Sequence, residues 1–272
     1  MNKIIACIDG SPAANNVSAA SAWAQQQLGA PLELLHVLEK TDYPAAGNMN
    51  GNIGLGTREH LLEELAELDN KRSKLMLEQG RLMLAEVRKQ VEAAGVPSEQ
   101  ISQLQRHDSL VDTLLEGEAN TRLLVMGRQG EGHDSAINAI GNHIENVTRT
   151  LQKPILIALN DFKPPERFMQ AYDGSVTANK ALKMVMQSPL FKGIPCHLVM
   201  AGKRIESEHQ QLIRAKNMLE EGGFEVVSAE LEQAEVRTAL LSYVEKHEIG
   251  MMVMGAWGHS RIRQLLMGSM TN

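Results

Sequence analysis

A chain that carries the same strand-and-turn phrase twice will build the same local structure twice. Residues 4–11 read IIACIDGS and residues 168–175 read FMQAYDGS, each an apolar run ending in Asp-Gly-Ser, at an offset of 164. PLELLHV from Pro31 and PCHLVMA from Pro195 keep that offset. LLVMGRQG (Leu123 to Gly130) and MMVMGAWG (Met251 to Gly258) face each other at an offset of 128. The first copy is therefore 36 residues longer between its second and fourth strands (164 less 128). Repeated segments in the same order indicate duplication, with extra sequence in the first copy. A length of 272 residues suits two domains of ordinary size.

Within each copy, apolar strand runs alternate with helical patterns. That alternation predicts an α/β fold of two tandem doubly wound, mainly parallel sheets covered on both faces. The first domain is expected over 1–160 and the second over 161–272. The charged, doubly proline segment NDFKPPER, Asn160 to Arg167, is the expected linker. In the first copy a helix is expected from Pro12 to Leu28, stopped by Gly29, followed by a strand over 32–38. A polar, glycine-rich loop from Thr41 to Thr57 opens a long helix from Arg58 to Ala94. On it Leu61, Leu65, Leu68, Leu75 and Leu82 form a seven-residue stripe, which Met76 and Met83 extend as fillers of core gaps. Gly95-Val96-Pro97 ends that helix. A weak strand near 100–105, a helix from Ser109 to Ala119 and a buried strand at 122–126 follow. After the glycine loop come a helix from Asn142 to Leu151 and a strand from Pro154 to Leu159. The second copy stops three residues after Ser269, so most of its final helix and its final strand are missing from the sequence given.

Composition removes several function classes. With 33 acidic against 27 basic residues the net charge is -6, which argues against nucleic acid and anionic membrane as partners. No apolar run approaches the roughly 18 residues of a membrane span, and MNKIIACIDGS enters a strand directly, without the pattern of a secretory leader. Cys7 and Cys196 lie in apolar strand runs and read as free core thiols of a cytoplasmic protein. No CxxC or HxxxH spacing supports a metal site.

The chemistry concentrates where the fourth strand of the second copy ends. Gly255 leaves room for a ligand to approach the backbone, and Gly258 permits a positive φ in a tight loop. Gly268 and Ser269 then open a helix whose free N–H groups and positive dipole end suit an anion. Ser269 can cap that helix or donate to phosphate; the same loop can also be a plain helix cap. Asp173 should meet Gly255 at the carboxyl edge of the sheet, where open parallel sheets bind ligands. It can orient a ribose or a magnesium-bound water, or cap the helix that follows.

The Asp-Gly-Ser at the first strand end, with G-x2-G-x9-G-[ST] met by Gly255, Gly258, Gly268 and Ser269, resembles the universal stress protein family across both copies. The tandem arrangement and acidic balance look most like its two-domain, UspE-like type. The resemblance implies Rossmann-like, adenine-nucleotide-binding domains holding ATP or AMP, with Mg2+ as a companion. Carried over by position, it implicates Tyr172, Asp173, Ala201, Met254, Gly255, Gly258, Gly268, Ser269, Met270 and Thr271. It also implies pairing through the last strand: an intramolecular pseudo-dimer of the two copies, or a homodimer where Pro154 to Leu159 finds no counterpart.

The first copy departs from this pattern. Asp9, Val37, Gly127 and Gly130 stand at matching places, but Gly141 follows after ten residues instead of nine and precedes Asn142 instead of Ser or Thr. Glu131 and Asp134 place negative charge in that loop, which repels phosphate. Residues 1–160 hold 14 basic and 20 acidic side chains against 13 and 13 in residues 161–272, so the whole net charge lies in the first copy. The second copy is the better nucleotide site and the first a degenerate one. No Walker A loop or G-x-S-x-G elbow is present, so no catalytic residue is assigned and turnover would be at most that of a slow ATPase. Two other readings stay open: an interaction protein with neither site occupied, and a non-nucleotide ligand in the first copy.

Overall fold

The structure is a computed structural model that describes residues 2–39, 55–127, 144, 146–202, 206–232 and 235–255, without the side chains of 55–63, 69, 206 and 207. The chain divides into two compact units, Met1–Phe162 and Lys163–Asn272.

The first unit runs β1 (Lys3–Cys7), α1 (Ala14–Leu28), β2 (Leu32–Val37), α2 (Leu55–Ala93), β3 (Ile101–Arg106), α3 (Leu110–Gly117), β4 (Thr121–Gly127) and β5 (Ile155–Ala158), with helical residues at 146–150 before the last strand. Its strands lie in the order β3-β2-β1-β4-β5, and every neighbouring pair is parallel. The second unit runs β6 (Phe168–Ala171), α4 (Val176–Gln187), β7 (Cys196–Ala201), α5 (Glu206–Glu221), β8 (Val226–Leu231), α6 (Val236–Lys246) and β9 (Met251–Val253). Among the described residues its parallel order is β8-β7-β6-β9, which is the first unit's order up to the fourth strand. These are doubly wound α/β sheets whose strand order reverses between the first and fourth strands of each unit.

The register repeats as well as the order. Ile4 pairs with Leu32 and with Leu123; Phe168, 164 residues later, pairs with Cys196 and with Met251. The third strands match too, since Leu32 faces Ile101 and Cys196 faces Val226. Buried residues run consecutively along the central strands of both sheets, as they do where both faces are covered. Ile4, Leu32, Leu34 and Leu124 are fully buried in the first sheet, as are Phe168, Cys196 and Leu198 in the second.

The helices show what the local sequence dictates. The small residues of α1 (Ser18, Ala20, Ser21, Ala22, Ala24) are buried and let it sit close to the sheet, and Gly29 ends it in a left-handed conformation. Ser109 caps α3 by accepting from the Asp112 N–H, and Ser175 caps α4 by accepting from the Ala178 N–H at 3.1 Å.

The long helix departs from expectation. Its leucine stripe does not face the core: Leu65, Leu68, Leu75 and Leu82 are exposed, and Met76 with them, so Met76 fills no core gap. The buried face is Gly80, Leu84, Val87 and Val91, at spacings of 4, 3 and 4. Gly80 is where the helix meets the sheet, since an added Cβ would stand 2.6 Å from the His36 ring. Face and length together explain the outcome, for Leu82 lies across the helix from Gly80, Leu84 and Val87 where α2 covers the sheet. A six-residue strand spans about 20 Å, whereas the 39 residues of α2 make a rod of about 58 Å. Only its C-terminal part can cover the sheet.

Candidate functional site

In each unit the switch in strand order opens a crevice beyond the carboxyl ends of the first and fourth strands, the place where open parallel sheets accept ligands. In the second unit, β6 ends at Ala171 and the chain turns sharply through Tyr172-Asp173-Gly174-Ser175 into α4. The Asp173 carboxylate accepts from the Ser175 N–H at 3.0 Å, and Gly174 supplies the positive φ of +73° that the turn requires. Asp173 thus shapes the turn, while Ser175 supplies the helix cap. The first unit repeats the device: the Asp9 carboxylate accepts from the Ser11 N–H at 3.0 Å, and Gly10 has the same φ.

Tyr172 is buried, and its hydroxyl donates to Asn179 Oδ1 at 3.0 Å. Burial, before the nearby Asp173 charge, pushes its phenol above the usual value, against the hydrogen bond to Asn179. Asn179 in turn donates to the Gly174 and Ser175 carbonyls at 3.1 and 2.9 Å, so its amide ties turn to helix. The side chain of Tyr172 is committed to this scaffold.

Gly255 and Gly127 serve packing. A Cβ on Gly255 would meet the Thr177 carbonyl carbon at 2.9 Å and the Ala178 nitrogen at 3.1 Å. On Gly127 it would meet the Ala13 Cβ at 2.7 Å and the Val17 Cγ2 at 3.0 Å. The glycine after each fourth strand lets the start of the unit's first helix close against the strand end. That contact brings Gly255 beside the Asp173-Gly174-Ser175 turn, the meeting expected from the sequence. The space of the absent side chain is filled by helix backbone, so a ligand would meet Gly255 from its other side.

Ala201 and Val37 sit at the last register positions of β7 and β2, opposite Leu231 and Arg106, and both are half-buried. Met254 and Ala201 pack at the margin of a cluster built on Met169, Val199, Leu240 and Tyr243. Gly130, Gly141, Asn142, Gly258, Gly268, Ser269, Met270 and Thr271 lie outside the described residues.

Two residues cover the turns: Gln211, which no sequence signal singled out, and Met83, expected only as a filler of core gaps. Gln211 of α5 lies over Gly174, where an added Cβ would fall on its amide oxygen, and the Met83 sulfur of α2 stands 3.0 Å from a Cβ added to Gly10. The second turn is thus covered by an amide and the first by a thioether. Both come from a different helix than the turn, so no local pattern signals them. An open hollow of about 390 Å³ beside β8 is lined by Leu212, Ser228, Ala229, Glu230 and Glu232, and His209 bonds to Glu230 there. Its carboxylates disfavour phosphate. Among the described residues no cluster of three metal-ligating side chains occurs, and no helix is long and apolar enough to cross a membrane.

The model of the universal stress protein family matches residues 1–158 and 197–272. This chain belongs to the universal stress protein family. Universal stress protein Slr1230 of Synechocystis is 32% identical to it over 275 residues, covering 100% of this chain and 95% of that protein. The crystal structure of a universal stress protein from Archaeoglobus fulgidus superposes with a TM-score of 0.70 at 17% identity, covering 99% of this chain and 96% of its own. A putative universal stress protein from Pseudomonas aeruginosa gives a TM-score of 0.51 at 14% identity, over 98% and 89% of the two chains. At these identities the two structures speak to fold alone. Both cover nearly the whole of this universal stress protein, two units included.

Proposed function

We infer that this universal stress protein is a cytoplasmic regulatory protein of the stress response that binds an adenine nucleotide, ATP or AMP with Mg2+, mainly in a second domain over 161–272. The observation that carries this reading is the convergence of Gly255 on the turn Asp173-Gly174-Ser175 at the switch between β6 and β9. The run from Gly255 through Gly258, Gly268 and Ser269 to Thr271 starts at that point and has the spacing of a phosphate-cradling loop. Tyr172, Ala201, Met254 and Met270 complete the assignment by position. The reading is one of binding: no nucleophile with an adjacent base is assigned.

Calorimetry on the full chain with ATP, ADP and AMP, with and without Mg2+, tests it. Binding by the parent, lost in Gly258→Val or Gly268→Val with the fold intact by circular dichroism, is the expected result. Variants that bind ATP as tightly as the parent would show the loop is wrong. Absence of heat with every nucleotide would favour the second reading, an interaction protein built as a fused pseudo-dimer. The exposed leucines of α2 favour that reading. A non-nucleotide ligand in the first domain, over 1–160, is favoured by the Met83 thioether over the Asp9-Gly10-Ser11 turn.

A further inference from the structure

Between residues 64 and 79 every described side chain of α2 is exposed, before Gly80 leads into the buried face, and that stretch is not polar all round. Leu68, Leu75 and Leu82 are 61%, 72% and 60% exposed and recur every seven residues; Leu65, 44% exposed, stands three before the first of them. Written as heptads, Leu68, Leu75 and Leu82 occupy d, and Leu65, Arg72 and Gln79 occupy a. This seam lies off the Gly80, Leu84, Val87, Val91 face that holds α2 on its sheet. A contiguous row of exposed leucines on a regular helix marks an association surface.

We propose that α2 pairs with α2 of a second copy as an antiparallel two-helix coiled coil. The polar seam residues choose the direction. A parallel, in-register pair sets Arg72 against Arg72 of the second copy, a like-charge layer inside the seam. Turned antiparallel about an axis between Ser73 and Lys74, Leu65 meets Leu82 of the second copy, Leu68 meets Gln79, and Arg72 meets Leu75. Arg72 then lays its aliphatic stem on leucine and carries its charge to the edge. In the same register the flanking g positions bring Lys71 opposite Glu78 of the second copy, twice by symmetry. Glu78 is exposed and accepts from Arg81 of its own helix at 3.3 Å. Residues 65–82 span about 27 Å of helix, a small contact by the standard of stable dimers, so the dimer exchanges with monomer in the micromolar range.

Sedimentation equilibrium of the full chain over that range tests the proposal. A concentration-dependent dimer is expected, and the double variant Leu68→Lys/Leu75→Lys should be monomeric with an unchanged circular dichroism spectrum, and should melt with the parent at concentrations where the parent too is monomeric, because neither side chain packs in the monomer. Lys71→Glu and Glu78→Lys should each weaken the dimer several-fold, and the two together should restore it. A parent chain that stays monomeric, or a dimer that survives the double leucine variant, overturns the pairing. Failure of the combined charge swap to restore the dimer overturns the antiparallel register.

Discussion

The backbone of Gly255 lies on the backbone of Thr177, so close that an added Cβ would stand 2.9 Å from the Thr177 carbonyl carbon. Backbone cannot rotate away as a side chain can. Gly255→Ala should therefore cost about 1–3 kcal/mol, the range of overpacking. Gly127→Ala should cost as much, because its nearest obstacle, the Ala13 Cβ at 2.7 Å, is fixed to the backbone; Ala13→Gly should recover part of that loss. Urea unfolding of the two single variants and the double variant measures this. No recovery in the double variant would contradict the contact drawn between Gly127 and Ala13.

The two Asp-Gly-Ser turns should respond differently to loss of the serine. Ser175 accepts from the Ala178 N–H and caps α4, whereas Ser11 only accepts from the Ala13 N–H at 3.3 Å and α1 has no side-chain cap. Ser175→Ala should lower stability by about 1 kcal/mol, and Ser11→Ala by less, in denaturant titrations.

Stability should fall on mild acidification through His197. Its Nδ1 shares a hydrogen bond with the Tyr243 hydroxyl at 3.0 Å. Burial first, then the charges of His247 and Arg167, hold its imidazole below the ordinary value of 6.5. The unfolded chain therefore binds the proton more readily than the folded one. The contribution to stability is complete above the unfolded value and is lost as pH drops from there through the lower folded value. His197→Gln should flatten this slope in melting temperature against pH. A slope unchanged in that variant would assign the titration to another group.

Neither cysteine should behave as a reactive thiol. Burial pushes both Cys7 and Cys196 up to about 12, with the Asp9 charge adding to the effect at Cys7. Thiolate is then scarce at neutral pH. A disulfide-exchange reagent should modify the native protein slowly and both cysteines rapidly in urea; fast native reaction at either would refute this.

Much of the architecture was legible because it rests on local, repeated signals. The strand runs and the Gly29 and Gly95 stops each follow from residues within a few positions, whereas the cap expected of Asp173 is made by Ser175. What the sequence could not disclose was set by contacts between distant elements. A seven-residue leucine row reads the same whether it faces a sheet or solvent, and in α2 the residues that pack on the sheet lie on the other side of the helix. Likewise Gly255 and Gly127 carry no mark to show that helix rather than ligand fills their missing side chains. Gln211 and Met83 reach the turns from other helices, beyond any motif.

The matching registers locate where the two units have diverged. The offset between equivalent strands is 164 for the first and second, 125 for the third and 128 for the fourth. The connection between second and third strands differs by 39 residues, while that between third and fourth differs by only three. A graft point is thereby defined: 39 further residues enter there without altering the matching strand pairings. The outward stretch of α2 before Gly80 can accordingly vary and acquire new partners, while Met83 and the buried face beyond Gly80 stay bound to the turn and the sheet.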